Sequence, residues 1–407
     1  MRMTKIGRSA VVVVATVSLL VMAGVCGSLP LAGAASNKGP IVVGAPVALS
    51  GAEAAIGVQD AALAQKYVKQ INAHGGVHGR KIELKVMDTK TSPTTGLLDA
   101  RQLITQDHAA ALVGISTTTL GEALLPLVKK YKVPTLADIG GGTFNHPVSP
   151  YFFKIPETPS SVAQVLLDYM NERGLKKIAW LGIDSAFGQS GLPQFEKVAK
   201  KNGQKLLDTL MYSPTSTNLT SYLERVKGLA GEQALLVYGI PPTAFIAQSE
   251  IASAGITVPV FQGNGVALGT FPKAVGAAAN GVTLVGGNVN DYKTLPAKNP
   301  QLPVIKSFMK LYGSANRFAG DMYDCLNLLV KAMRAVGTKG PAIERYLQTK
   351  VVRSPGVTGV FSFSSKAHSG VLSSSLSVMK VVNGKFKLVA TGSKILGARA
   401  RGAKSSS

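Results

Sequence analysis

Ile71-Asn72-Ala73-His74-Gly75-Gly76-Val77-His78-Gly79-Arg80 is the stretch on which the fold of this 407-residue chain turns. From Gln59 to Ile71, just before it, apolar residues recur at helical spacing. Lys81 to Val86, just after it, reads as a short strand. Glycines at 75, 76 and 79 between two periodic segments mark a turn, so the stretch joins a helix to a strand.

The same rhythm continues in both directions. Candidate strands are Ile41 to Val47, Ala111 to Ile115, Thr135 to Ala137, Ile178 to Ile183, Leu235 to Tyr238, Val258 to Phe261 and Thr283 to Val285. Helix-like segments lie between them: Thr95 to Gln106, Leu120 to Tyr131, Ser160 to Arg173, Gln194 to Lys201, Leu219 to Gly228 and Ala244 to Ser253. Alternation of this kind specifies βαβ units and parallel sheets. The Pro-rich stretch His146 to Pro150 divides the first strands from the next. The expected fold class is therefore α/β, with two doubly wound, Rossmann-like lobes. Further on, Gln301 to Tyr312, Phe318 to Val336 and Pro341 to Thr349 read as helices. Val357 to Phe363, Leu376 to Val382 and Lys385 to Val389 read as antiparallel strands, the last two joined by the hairpin signal Asn383-Gly384.

At the N-terminus, Arg2, Lys5 and Arg8 precede a run from Ser9 to Asn37 that holds no charged residue. This is the pattern of an export signal over residues 1–34, with Ala32-Gly33-Ala34 as the small-x-small cleavage site. Cys26 opens the alternative of a lipid anchor, although Val25 fits a lipidation box poorly. An uncleaved membrane anchor is a third reading, opposed by Gly27, Pro30 and Gly33. Each of the three exports the rest of the chain to the periplasm or cell envelope. If Cys26 leaves with the signal, Cys325 has no partner for a disulfide, and its place in an apolar helical segment marks it as a buried small hydrophobe.

The net charge of +23 comes from 44 basic and 21 acidic residues spread along the chain. No basic cluster interleaved with aromatics and no zinc-finger or RNP-type motif is present, so a solvated basic surface is expected and no nucleic-acid partner. Residues 391–407, with Arg399, Arg401 and Lys404 among Gly, Ala and Ser, read as a basic disordered tail.

Catalytic patterns are missing. Gly188-Gln189-Ser190-Gly191 fails the spacing of a nucleophile elbow, and there is no Walker A sequence. Gly263, Gly265 and Gly269 miss the dinucleotide pattern by one residue. His74, His78, His108, His146 and His368 show no metal-ligand spacing. Gly140-Gly141-Gly142 after a strand suits close approach of a ligand to the backbone. A binding protein without cofactor or metal is expected rather than an enzyme.

The turn at 71–80, with the strand and Asp88 after it, resembles that of the leucine/isoleucine/valine-binding family of type I periplasmic binding proteins. Ala48-Leu49-Ser50-Gly51, Ala111-Leu112-Val113-Gly114, Val133-Pro134, Asp184-Ser185-Ala186-Phe187-Gly188, Tyr323-Asp324 and the turn Phe363 to Gly370 follow in the family's order, so the resemblance spans roughly residues 40–390. It implies two lobes joined by three hinge crossovers near Thr158, Val285 and Phe363, closing on a ligand. Residues 40–157 with 286–362 would form lobe 1, and 158–285 with 363–390 lobe 2. It also implies a monomeric solute-binding protein serving the permease of an ABC importer, or else an exported sensor partnering a receptor or kinase.

By the same resemblance a hydroxyl among Thr117, Thr118 and Thr119, best Thr118, would hold a ligand carboxylate, and Ser50, Ile139 and Gly141 would line the same cleft. From residue type alone, Thr117 to Thr119 serve equally as a helix N-cap. Phe187 and Asn264 depart from the amino-acid-binding members, which place a Tyr and an acid there to hold the ammonium. Neither residue can pair with a buried cation. The expected ligand is therefore a small molecule related to amino acids that bears a carboxylate or amide and lacks a conventional α-ammonium.

Overall fold

The computed structural model describes residues 39–142, 144 and 147–405, so the export segment expected over residues 1–34 lies outside the described residues. β1 (Ile41–Val47), β2 (Ile82–Asp88), β3 (Ala111–Gly114), β4 (Thr135–Ala137) and β5 (Phe152–Lys154) form one all-parallel sheet in the order β2-β1-β3-β4-β5. β6 (Lys177–Ile183), β7 (Lys205–Tyr212), β8 (Ala234–Tyr238), β9 (Val260–Gln262) and β10 (Thr283–Gly287) repeat that order as β7-β6-β8-β9-β10. After a small pair, β11 (Ser354–Pro355) and β12 (Val360–Phe361), β13 (Leu376–Val382) and β14 (Lys385–Thr391) extend the second sheet antiparallel beyond β10. Each half is a doubly wound unit whose ligand-facing side lies at the carboxyl ends of its strands.

The turn at 71–80 works through two contacts. Asn72 clamps the start of β2, donating from Nδ2 to Ile82 O (2.8 Å) and accepting from Ile82 N at Oδ1 (2.7 Å). Gly76 adopts φ +61°, and a Cβ there would sit 2.0 Å from the carbonyl oxygen of Arg80, so no other residue fits the tight return. Across the lobe, Arg334 donates to Gly76 O from Nε (3.0 Å) and Nη2 (2.7 Å), tying the turn to the long helix Arg317–Val336. That helix is buried along most of its length and packs on the helix Ala54–Ala73, with Tyr67 and Tyr323 stacked at 4.3 Å. Cys325 is fully buried within it, and burial pushes its thiol pKa up, as suits a core residue.

The chain departs from several sequence expectations. The Pro-rich stretch does not divide the sheets: β5 follows it and pairs with β4, because three apolar or snorkelling residues between turns suffice for a buried strand. Lys205–Tyr212 forms β7 at a sheet edge, where alternating half-exposed positions gave no apolar run to read. Val285 sits inside β10, paired with Val378, so the chain leaves the second sheet only after Gly287. Phe363 remains packed against Phe153 of β5, and His368 stacks on the same ring at 4.1 Å, so the return follows Val371. Residues 391–407 are not a disordered tail: Thr391 closes β14 and Gly392–Ser405 is helical. Ile395 is buried, and Arg399 Nη1 meets both carboxylate oxygens of Asp168 at 2.8 and 2.9 Å, contacts between distant segments that composition alone does not reveal. At Asn383-Gly384 both residues have positive φ (50° and 68°), the geometry of a type I′ hairpin turn. No helix among the described residues is long and apolar enough to cross a membrane.

Candidate functional site

The carboxyl-terminal edges of the two sheets meet. From the first sheet come the loops after β3 and β4. Thr117 caps the helix Thr118–Tyr131, its Oγ1 accepting from Leu120 N at 3.3 Å, so its hydroxyl is committed to the helix. Thr118, at the first helical position, accepts from Gly141 N at 3.3 Å. Gly141 is pressed against the other lobe: a Cβ there would lie 2.8 Å from both Phe187 Cα and Ser190 Oγ, and 2.9 Å from Thr118 Oγ1. Ser190 Oγ also accepts from Gly142 N at 2.9 Å. Thr118, Gly141 and Phe187 thus come together, and the glycine run gives room to the opposite lobe.

Other expected residues lie elsewhere. Ser50 is exposed, and its hydroxyl donates to Asp88 Oδ2 at 2.7 Å. Desolvation pushes the Asp88 pKa up, but the Ser50 hydroxyl and the N–H groups of Lys90, Leu49 and Ser50 outweigh it and hold the carboxylate below its usual range. Thr119 is exposed on the outer face of its helix. Ile139 is buried in the apolar cluster with Leu124, Phe144 and Phe152, where its side chain fills the space above Gly121.

On the second-lobe side, Phe187 stacks on Tyr238 (4.4 Å, 8° between planes), with Trp180 and Phe195 around the same tyrosine at 5.5 and 5.0 Å. The Tyr238 hydroxyl is fully buried and has no hydrogen-bond partner. Asn264 donates from Nδ2 to Glu157 Oε1 at 2.5 Å, while its Oδ1 has no donor. This changes the reading of the cation side. Asn264 carries no charge, but it is in contact with an acid from the segment after β5, so the premise that a ligand ammonium would lack a carboxylate does not hold.

Glu157 belongs to a larger buried group that the sequence reading missed. Asp60, Asp138, Asp321, Arg317 and Lys154 are each no more than 3% exposed. Arg317 Nε lies 3.4 Å from Glu157 Oε1 and its Nη2 3.5 Å from Asp321 Oδ2, ion-pair distances without hydrogen-bond alignment. Asp138 stands between Asp60 and Asp321, close enough to share protons with each, and Ser116 Oγ donates to Asp60 Oδ2 at 3.0 Å. Burial pushes the Asp60 carboxyl up to about 8, against the hydrogen bond from Ser116. Burial and neighbouring carboxyls raise Asp138 and Asp321 well above the ordinary range. Burial pulls the Lys154 ammonium down to about 7, against the attraction of Glu157, and its Nζ donates to Glu157 O at 2.6 Å. Like charges this close cannot all ionise in a dry site, so the acids hold protons.

A model of the family described as periplasmic binding protein matches residues 40–385, from the start of β1 to the start of β14. The chain belongs to the periplasmic binding protein family. The Leu/Ile/Val-binding protein homolog 3 of Brucella melitensis is 23% identical over 269 residues, covering 66% of this chain and 72% of that protein. The branched-chain amino acid transporter substrate-binding protein LivJ of Streptococcus pneumoniae, solved with isoleucine, superposes with a TM-score of 0.74 at 22% identity, over 86% of this chain and 99% of that one. An ABC transporter solute-binding protein of Rhodopseudomonas palustris, solved with 3,4-dihydroxybenzoic acid, gives 0.75 at 22% identity, over 87% and 97%. At these identities the two superpositions establish the type I periplasmic binding protein fold.

Within that family fold, a sequence signal for the missed residues exists. Asp60 falls on the apolar stripe Ile56, Ala64, Val68 of its helix, and Arg317 and Asp321 fall on the stripe that continues through Cys325 and Leu328. A charge on a buried stripe must find a partner or hold its proton, and such positions are candidates for function. The periodicity located the stripes but not what faces them.

Proposed function

We propose that the chain is an extracytoplasmic solute-binding protein that captures a small polar ligand between its lobes and delivers it to the permease of an ABC importer. One observation carries this reading. Polar atoms at the meeting edges of both sheets, Asp138 Oδ2 and Arg317 Nη2 from one side and Tyr238 OH and Asn264 Oδ1 from the other, are buried without hydrogen-bond partners. Buried polar groups are almost always satisfied, so atoms on both lobes that lack partners suit a ligand held between them. A ligand carboxylate or amide carbonyl would meet the Arg317 guanidinium, which offers N–H donors in a planar fork. Phe187 and Tyr238 would supply flat apolar area on the other face. The relatives' titles, naming isoleucine and an aromatic acid, fit a solute of this size.

The test is to unfold the purified protein, identify released solutes by mass spectrometry, and measure lobe closure by small-angle scattering on adding each back. A defined solute that shrinks the particle is the expected result. Release of none, together with no scattering change across a library of small polar metabolites, would remove the reading.

A further inference from the structure

Resting on the capture reading above, we infer that Asp60, Asp138 and Asp321 form a subsite for a positively charged N–H group of the ligand, an ammonium, amidinium or guanidinium. Three helices and loops converge to build it: Asp60 comes from the helix Ala54–Ala73, Asp138 from the loop after β4, and Asp321 from the helix Arg317–Val336. Each acid is at most 3% exposed.

The subsite is short of donors. Asp60 Oδ1, Asp138 Oδ2 and both oxygens of Asp321 have no N–H or O–H donor apart from protons the acids share among themselves. Asn264 Oδ1, from the opposite lobe and 1% exposed, is an independent acceptor in the same state beside Glu157. The charges facing this group from every packed element are Arg317, Glu157 and Lys154. Arg317 is shared between Glu157 and Asp321, and Lys154 is spent on backbone carbonyls, so the acids outnumber the cations available to them. Ammonium, amidinium and guanidinium groups present donors only and match that deficit. When such a group enters, a carboxyl of the triad ionises and gives its proton to solvent, leaving the buried charge nearly balanced. The raised protonation of Asp60, Asp138 and Asp321 agrees with a triad that waits for a cation.

The experiment is isothermal titration of the full exported chain with arginine and agmatine, against citrulline, an uncharged ureido analogue of arginine, and glutarate, in two buffers of different ionisation enthalpy. The expected result is that arginine or agmatine binds at least ~10-fold more tightly than citrulline, as loss of one partner from a buried charge pair implies, with net proton release. Asp138→Asn, which keeps the side-chain shape, should abolish that preference. Citrulline or glutarate binding as tightly as the cations overturns the inference, and so does failure of both cations to bind. Lobe closure on a neutral or anionic solute alone would leave solute capture standing while removing the cation subsite, so the two readings fail separately.

Discussion

The two lobes bring unlike chemistry to the surface where they meet. The first contributes carboxyl groups, an arginine and a lysine on two helices and the loops after its strands. The second contributes a stack of Phe187, Tyr238, Trp180 and Phe195, with polar atoms only at its rim. Aromatic contact depends on area and is indifferent to pH, whereas the charged floor changes with every proton it gains or loses. Affinity and selectivity can therefore be divided between the lobes, with the second providing contact and the first reading charge.

Four substitutions would break or sharpen that contrast. Arg317→Met should have the largest effect, a loss of about 4 kcal/mol of stability near neutral pH, because it leaves Glu157 and Asp321 without their cation. Denaturant melts at pH 7 and pH 4.5 check it, and the loss should shrink at the lower pH as the acids protonate. Phe187→Ala should cost about 3 kcal/mol by opening a cavity against Tyr238 and Gly141, and equally at both pH values. A pH-dependent Phe187→Ala penalty would erase the division between the lobes.

Asp60→Asn addresses the charge floor directly. Asp60 keeps its proton in the folded chain up to about 8, whereas an unfolded aspartate loses it near 3.8, so the folded state binds more protons between those values and wild-type stability falls as pH rises through that window. The variant lacks this term. Its melting temperature should gain on the wild type steadily from pH 5 to pH 8, and a constant difference would show that Asp60 is ionised in the fold. The smallest expected effect belongs to the threonines. Thr117→Ala removes a helix cap and should cost about 1 kcal/mol, while exposed Thr119→Ala should change melting by less than about 0.5 kcal/mol.

The elements were legible where local rules suffice. β1, β4 and β13 have the limits that the apolar runs mark, and Asn383-Gly384 turns the hairpin as its φ preferences require. β5 and β7 were not legible, the first because it is three residues long and the second because an edge strand has no continuous apolar run. At the site, family position brought together Thr118, Gly141, Phe187 and Asn264 at the meeting edges, but it gave Ser50 and Ile139 roles their surroundings do not support. Thr117 followed the capping rule instead.

By itself the sequence determined that helices and strands alternate, that Asn72 and Gly76 sit in a tight helix-to-strand turn, and that residues 40–385 follow the pattern of this family. These follow from spacing along the chain and from the steric demands of single residues. Only the tertiary structure decided that Asp60, Asp138, Glu157, Arg317 and Asp321 share one buried site, and that Arg399 ends on Asp168. Those meetings depend on sheet order and on how helices far apart in sequence pack across it, and neither leaves a mark on local periodicity.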